Sequence, residues 1–339
     1  MPAHAGLRPL YAPAARKSQA QIVAFPARPW YRRDMILALA PMQDVTDLAF
    51  VRTLARIGSL PDFLVTPYFR STATTCAMAD ENLRCIRENE SGCPIHAQLA
   101  GSDAAALVRD ATELMKLPVA GINLNAGCPS PLVNRHGAGA ALLRDLENFR
   151  EILLRLRDAV PEGKFSVKCR IGWQEPDEFD AILPVLAEAR PDMVMIHLRT
   201  RAQLYAGKPH WYIGPRAVQG LQCPVLLNGD MQTHESVLRT MEVAECAGVM
   251  LGRGAVRNPY LFRMIRGGGA PTRDEMHAYY ETLIEETGRI LPEGITQAGH
   301  CNRMKKYLAF CYQDFSDGAE YALRRCIDIT QMRAILARQ

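Results

Sequence analysis

The sequence predicts a (β/α)8 (TIM) barrel followed by a small C-terminal all-helical domain. Three observations predict it. From Met35 onward, short β-branched or aliphatic runs alternate with helical patterns in eight units over residues 35–266, close to the roughly 250 residues such a barrel uses. The predicted strands end on polar residues or glycine turns, which is where a barrel carries its chemistry. After Arg266, the run Gly267-Gly268-Gly269-Ala270-Pro271 breaks the alternation, and the remaining C-terminal residues have helical periodicity only. The expected units are an extension over 1–34, a barrel over 35–266 and a helical domain over 272–339.

The predicted strands are Ile36–Ala40, Asp62–Thr66, Ile95–Leu99 and Gly121–Asn125, then Phe165–Arg170, Met193–Leu198, Val225–Asn228 and Gly248–Gly252. Between them, Leu48–Ile57 is apolar at 48, 50, 51, 54 and 57, and Leu146–Val160 at 149, 152, 153, 156 and 160, each one face of a helix. Asp103–Met115 opens on an acidic cap. A doubly wound open sheet is the alternative, but it usually has fewer strands, and no G-x-G-x-x-G follows the first one here. Beyond the glycine run, helices are expected over Asp274–Arg289, Gln297–Tyr312 and Ala319–Ala337. The first is acidic (Asp274, Glu275, Glu281, Glu285, Glu286), and the rest is basic.

The 339 residues can bury a sizeable core, and no apolar run approaches the length of a membrane span. The net charge of +4 comes from the first 34 residues, which hold six basic residues and one acid. The remainder carries 34 basic against 35 acidic residues, so any nucleic-acid site must come from local clustering. The Pro/Ala/Arg-rich opening reads as a disordered extension, as an organelle transit peptide, or as sequence ahead of a start at Met35. Ten cysteines contain no C-x2-C pair and no zinc-finger spacing, which points to free thiols in a reducing cytoplasm and to no metal site.

The strand ends define the candidate site. Lys168 lies inside an apolar strand, where an unpaired ammonium is costly. A structural salt bridge, a cofactor contact and a Schiff-base lysine are its three readings, and His197 on the next strand favours the second. Gln98 and Asn125 on inner strands add neutral donors and acceptors, so the four together suit a flat heterocycle with polar edges, such as a flavin ring. Asn228-Gly229-Asp230 and Gly252-Arg253-Gly254 come after the seventh and eighth strands. That is the usual phosphate position in a barrel, and Arg253 offers it a charge-assisted contact. Cys128 leaves its strand between Gly127 and Pro129 on the catalytic face. With no histidine fixed beside it, that thiol reads as a general acid more than as a nucleophile.

Ile122-Asn123-Leu124-Asn125-Ala126-Gly127-Cys128-Pro129, then Val133 and Gly139-Ala140, resembles the signature segment of the tRNA-dihydrouridine synthases. The other blocks fall in that family's order: Ala40-Pro41-Met42 with Val45-Thr46-Asp47, Gln98, Val167-Lys168-Cys169-Arg170, His197 with Arg199-Thr200, and the two glycine turns. The likeness runs from about Met35 to Tyr312; the Cys-Pro segment is highly specific, and the other blocks are shared with flavin barrels more widely. The resemblance implies an FMN enzyme that uses NADPH to reduce uridine in tRNA, with hydride delivered to C6 and the proton from Cys128 to C5. By position, Pro41, Met42 and Gln98 would line the flavin ring, and Lys168 would face its N1/O2 edge. His197, Asn228, Gly229, Asp230, Gly252 and Arg253 would hold the ribityl phosphate side, with Asn125, Arg170 and Arg199 near the substrate. Asp44 and Leu198 depart from the family pattern, where glycine and a small residue are common. Arg303-Met304-Lys305-Lys306-Tyr307-Leu308 resembles the C-terminal domain of bacterial members, and its continuation resembles the subgroup acting at uridine 16. Arg303, Lys305 and Lys306, with Arg324 and Arg325, would grip the RNA backbone, since a uridine must be splayed out of its stack to be reduced.

A cytoplasmic monomer acting on tRNA is therefore expected. The rival readings are an FMN barrel acting on a small pyrimidine or enoate, a flavin-free Lys168 aldolase, and a non-catalytic tRNA-binding factor.

Overall fold

A computed structural model describes residues 35–74, 76–77 and 80–339, so the expected extension over 1–34 lies outside the described residues. Ten strands are found there: β1 (Ile36–Leu39), β2 (Phe63–Val65), β3 (Phe69–Ser71), β4 (Cys76–Ala77), β5 (Ile95–Ala100), β6 (Gly121–Ala126), β7 (Phe165–Arg170), β8 (Met193–His197), β9 (Val225–Asn228) and β10 (Gly248–Leu251). Eight of them form a parallel ring in the order β2-β1-β10-β9-β8-β7-β6-β5, closed by a β2–β5 pairing, and β3 adds to β5 in parallel outside it. The expected eight-stranded barrel is thus the observed one. The β3–β4 hairpin, which no periodicity in the sequence announces, pairs onto the last residues of β5 and widens one rim.

The barrel helices are α1 (Leu48–Arg56), α2 (Asp80–Arg87), α3 (Ala104–Leu114), α4 (Pro131–Asn134), α5 (Leu146–Ala159), α6 (Phe179–Ala189), α7 (Ile213–Gly220), α8 (His234–Ala244), α9 (Arg253–Arg257) and α10 (Leu261–Ile265). Beyond them lie α11 (Arg273–Ile290), α12 (Gln297–Leu308), α13 (Asp317–Arg325) and α14 (Ile329–Leu336). Two C-terminal expectations need correction. The second helix stops at Leu308, and Ala319–Ala337 is two helices, because Cys326 turns extended and the Asp328 carboxylate accepts from Gln331 N at 2.9 Å to start a new one.

Strand side chains alternate between two environments, as the two-residue period requires. Leu37, Leu39, Leu64, Ile95, Leu99, Ile122, Leu124, Phe165 and Val167 face the helices within one large apolar cluster. Ala38, Ala40, Phe63, Val65, Met193, Met195, Leu226 and Met250 fill a separate inner cluster. On β5 to β7 polar residues take that inner role: Gln98 Nε2 donates to Asn123 Oδ1 at 2.7 Å, and Asn123 Nδ2 to Ser166 Oγ at 2.9 Å. Buried amides of this kind are tolerated only when so paired.

The glycine run at 267–269 interrupts the helices but not the packing. Tyr279, Leu283, Met304 and Tyr307 belong to the same apolar cluster as the barrel helices. Three of the acids of α11 that stood out in the sequence turn toward the barrel: Glu285 and Glu286 pair with Arg56 at 2.7 and 3.1 Å, and Glu275 with Arg263 at 2.5 Å, while Glu281 pairs with Arg333 of α14 at 2.9 Å. Asp47 ties α12 down from inside, its carboxylate taking Tyr307 OH at 2.7 Å and an ion pair from Arg303.

Candidate active site

A cavity of about 650 Å³ opens at the C-terminal mouth of the barrel. It brings together Pro41, Met42, Gln98, Asn125, Cys128, Lys168, Arg170, His197, Asn228, Gly229, Asp230, Gly252 and Arg253, contributed by seven strand ends. Strand register explains the convergence. Asn125 is level with Lys168, Arg170 with His197, and His197 with Asn228, so a polar shelf runs around the inside from β6 to β9.

Asn125 holds the Cys128 turn. Its Oδ1 accepts from Gly127 N at 3.0 Å and Cys128 N at 2.8 Å, while its Nδ2 donates to Gln98 Oε1 at 2.8 Å. The far side of the turn is fixed at the Cys128 carbonyl, which accepts from Ala140 N at 3.0 Å and Asn134 Nδ2 at 2.8 Å. Gly139 allows this close approach. Its φ is +64°, and a methyl group there would lie 2.9 Å from the Cys128 oxygen and 3.1 Å from its Cβ. Gly139→Ala is expected to cost about 1–3 kcal/mol and to shift the thiol. Thermal unfolding and the initial rate of product formation, measured together, check this; wild-type values for both would show that the loop has slack.

Lys168 and His197 face the cavity, and among the described residues no hydrogen bond or ion pair engages the Lys168 ammonium. Burial brings the Lys168 pKa down to about 8, with the neighbouring Arg170 cation adding to the effect. His197 Nε2 is buried with no partner, and burial, then the cations around it, hold the imidazole well below its usual range and therefore neutral. A cation and a neutral hydrogen-bonding ring, both without partners in an enclosed site, fit an electron-rich ligand with acceptor edges. The described residues hold no cluster of three metal-ligating side chains.

Several expected contacts are placed differently. Arg170 is 1% exposed and directs its guanidinium to the carbonyls of Gly127 (2.9 Å), Thr200 (2.7 Å) and Leu204 (2.9 Å), bracing the Cys128 turn. Arg199 does not line the cavity: it is fully buried and forms an ion pair with Asp230. Asp230, an anion, is ill-suited to touch a phosphate itself; it accepts from Arg253 Nη2 at 2.8 Å and so aims that guanidinium. Arg303 is paired with Asp47, Lys306 with Asp44 at 2.9 Å, and Lys305 Nζ reaches Asn302 at 3.3 Å, all outside the cavity. Asp44 adopts φ +61°, the conformation that explains why glycine suits this position.

Three aromatic residues of the lining were not foreseen. Tyr205, 56% exposed, lies at the mouth with Arg170 and Arg253 guanidiniums 5.6 and 4.8 Å from its ring centre. It was discoverable as an aromatic residue in the loop after β8. Tyr68 precedes β3, and Phe310 arrives from beyond α12; neither position carries a sequence signal for the site.

A barrel whose C-terminal mouth holds this polar shelf, an anion-seeking lysine and a thiol on a rigid turn defines a flavin-dependent oxidoreductase. The chain belongs to the dihydrouridine synthase family, whose model matches residues 38–334. A tRNA-dihydrouridine(16) synthase of Ralstonia nicotianae is 32% identical over 310 residues, covering 88% of this chain and 94% of that protein. The protein of the same name from Neisseria meningitidis serogroup A is 33% identical over 312 residues, covering 88% and 93%. Among solved structures, an old yellow enzyme homologue from Zymomonas mobilis aligns with a TM-score of 0.50 at 11% identity, over 72% of this chain and 91% of that one, a likeness of fold alone.

Proposed function

We propose that this protein reduces the C5=C6 bond of a uridine in the D-loop of tRNA, with FMN as cofactor and NADPH as reductant. The observation that carries the reading is the Cys128 turn, fixed at both ends, beside Lys168 and the buried His197 Nε2, neither of which has a hydrogen-bond partner among the described residues. The names of the two relatives support uridine 16 as the target. When bound, reduced FMN supplies hydride to C6 of the uracil ring.

The chain's own residues do the rest. Lys168 would hold the flavin's electron-rich edge, where its charge would offset electron density, and Gln98, Pro41 and Met42 would line the ring. His197, Asn228, Gly229 and Gly252 would hold the ribityl phosphate side, with Arg253, oriented by Asp230, offering the phosphate its charge. Gly252 leaves that side open, since a methyl group there would meet Met42 Sδ at 3.2 Å and Ala40 Cβ at 3.4 Å. The Cys128 thiol hands its proton to C5 of the uracil ring. Asn125 and Arg170 hold the turn that aims it, and the Tyr205 ring offers the splayed base a stacking surface at the mouth.

Residues 272–339 act as the tRNA-binding domain of a cytoplasmic monomer. No helix among the described residues is long and apolar enough to cross a membrane. Lys306 pairs with Asp44 on the surface, where both side chains are more than 40% exposed, and such pairs are weak enough to yield to a phosphate. Replacing Lys305 and Lys306 by alanine is expected to weaken tRNA binding and to flatten its log–log salt dependence by up to about 1.8. Binding isotherms between low and moderate salt check it, and an unchanged slope removes both lysines from the contact.

The reading as a whole is tested by incubating the purified protein with NADPH and unmodified tRNA, recording its visible spectrum and mapping dihydrouridine by position. A yellow protein that forms dihydrouridine at one site is the expected result. A yellow protein inert on several tRNAs points instead to a barrel acting on a small pyrimidine or enoate, and a colourless one removes the flavin.

A further inference from the structure

A second cavity, of about 320 Å³, lies beside the first on the rim widened by the β3–β4 hairpin. The two are immediate neighbours. Tyr68 lines both, and Pro131 lines the first while the next residue, Leu132, lines the second. Its chemistry differs from that of the catalytic cavity. Arg70 is exposed at its edge and has no hydrogen bond or ion pair among the described residues. The one carboxylate in the lining, Asp103, is occupied at the start of α3, where it accepts from Ala106 N at 2.7 Å. The Ser71 hydroxyl is buried, in a residue only 5% exposed, and has no partner among the described residues. Leu132, also in the lining, offers an apolar surface, 55% exposed.

We propose that this cavity receives a nucleotide adjoining the one in the catalytic cavity, its phosphate on Arg70 and its ribose or base against Leu132. The inference rests on the functional reading above, because it requires an RNA strand in the first cavity. A strand that inserts one base past Tyr68 must lay its neighbouring residue over the adjacent opening, and that opening presents a guanidinium that no described residue pairs with. A volume at the low end of small-ligand sites suits one nucleotide and no larger group. A phosphate contact there positions the strand without reading its sequence, so the cavity sets which uridine reaches Cys128 by register. Arg109 keeps the wall in place, donating to the carbonyls of Thr72 and Ala73 at 3.0 and 3.4 Å.

The test compares wild type, Arg70→Ala and Arg70→Lys on unmodified tRNA, and on tRNAs each carrying one methylphosphonate beside the target uridine. Arg70→Ala is expected to weaken binding roughly tenfold and to lower the salt slope by about 0.9, while Arg70→Lys retains most of both. Neutralising one adjoining phosphate should weaken wild type by the same factor and leave Arg70→Ala unaffected. NADPH-driven bleaching of the flavin, which needs no RNA, should be equal in all three. Wild-type binding by Arg70→Ala overturns the subsite, as does an equal loss in both proteins for every methylphosphonate. Inorganic phosphate that stabilises wild type but not Arg70→Ala, without displacing tRNA, assigns the cavity to a free anion and also overturns it. A wild type that forms no dihydrouridine refutes the functional reading itself, a separate result.

Discussion

Replacing Cys128 with alanine is expected to lower the rate of dihydrouridine formation by about 10²- to 10⁴-fold, the usual contribution of a positioned general acid. Binding of tRNA and reduction of the flavin by NADPH should be unchanged. The confinement to chemistry comes from the geometry, because the turn is held by backbone groups and not by the thiol: Cys128 N donates to Asn125, and Cys128 O accepts from Ala140 and Asn134. Cys128→Ser keeps the shape but is a far weaker acid, and should stay near the alanine variant. Single-turnover rates with pre-reduced enzyme separate the steps. If the alanine variant keeps its single-turnover rate, the proton comes from elsewhere and Cys128 is a packing residue.

The largest effect on stability is expected at Asp47. This carboxylate, 3% exposed, does three jobs at once. One oxygen caps α1 by accepting from Phe50 N at 3.0 Å; the other takes Tyr307 OH at 2.7 Å and the Arg303 guanidinium. Asp47→Ala removes the cap and leaves a largely buried guanidinium without its carboxylate, a change that costs about 3–5 kcal/mol. Asp47→Asn retains a good cap and should recover part of the loss. Urea unfolding of the three proteins decides the matter. Equal midpoints would mean that the apolar packing of α1 on α11, together with Phe50 of α1 stacked on Tyr307 of α12, holds the helical segment unaided.

Legibility in the sequence tracked local physics. The alternation of apolar runs fixes strand and helix order, since each periodicity is written within a few residues of itself. Lys168 in an apolar strand and Cys128 between glycine and proline stood out because their side chains contradict their surroundings. The cavity gathers both with Gln98, Asn125, His197 and the two glycine turns because barrel closure brings strand ends together, whatever their separation along the chain. Arg199, Arg303 and Lys306 looked like free cations for a ligand, and the sequence could not reveal their acids. Asp230, Asp47 and Asp44 lie up to 262 residues away and meet them only after folding.

Fold class, the order of the eight barrel strands and the polar residues gathered at the cavity mouth were therefore legible in the sequence alone, through periodicity and through polar groups set where burial makes them costly. Tertiary structure alone decided which cations are neutralised, that Arg170 braces a turn and Asp230 aims Arg253, and that Tyr68, Tyr205 and Phe310 close the cavity. It alone also opened a second cavity beside the first. These depend on contacts between distant segments, whose free energy is set by burial and distance in space, neither of which is written in neighbouring residues.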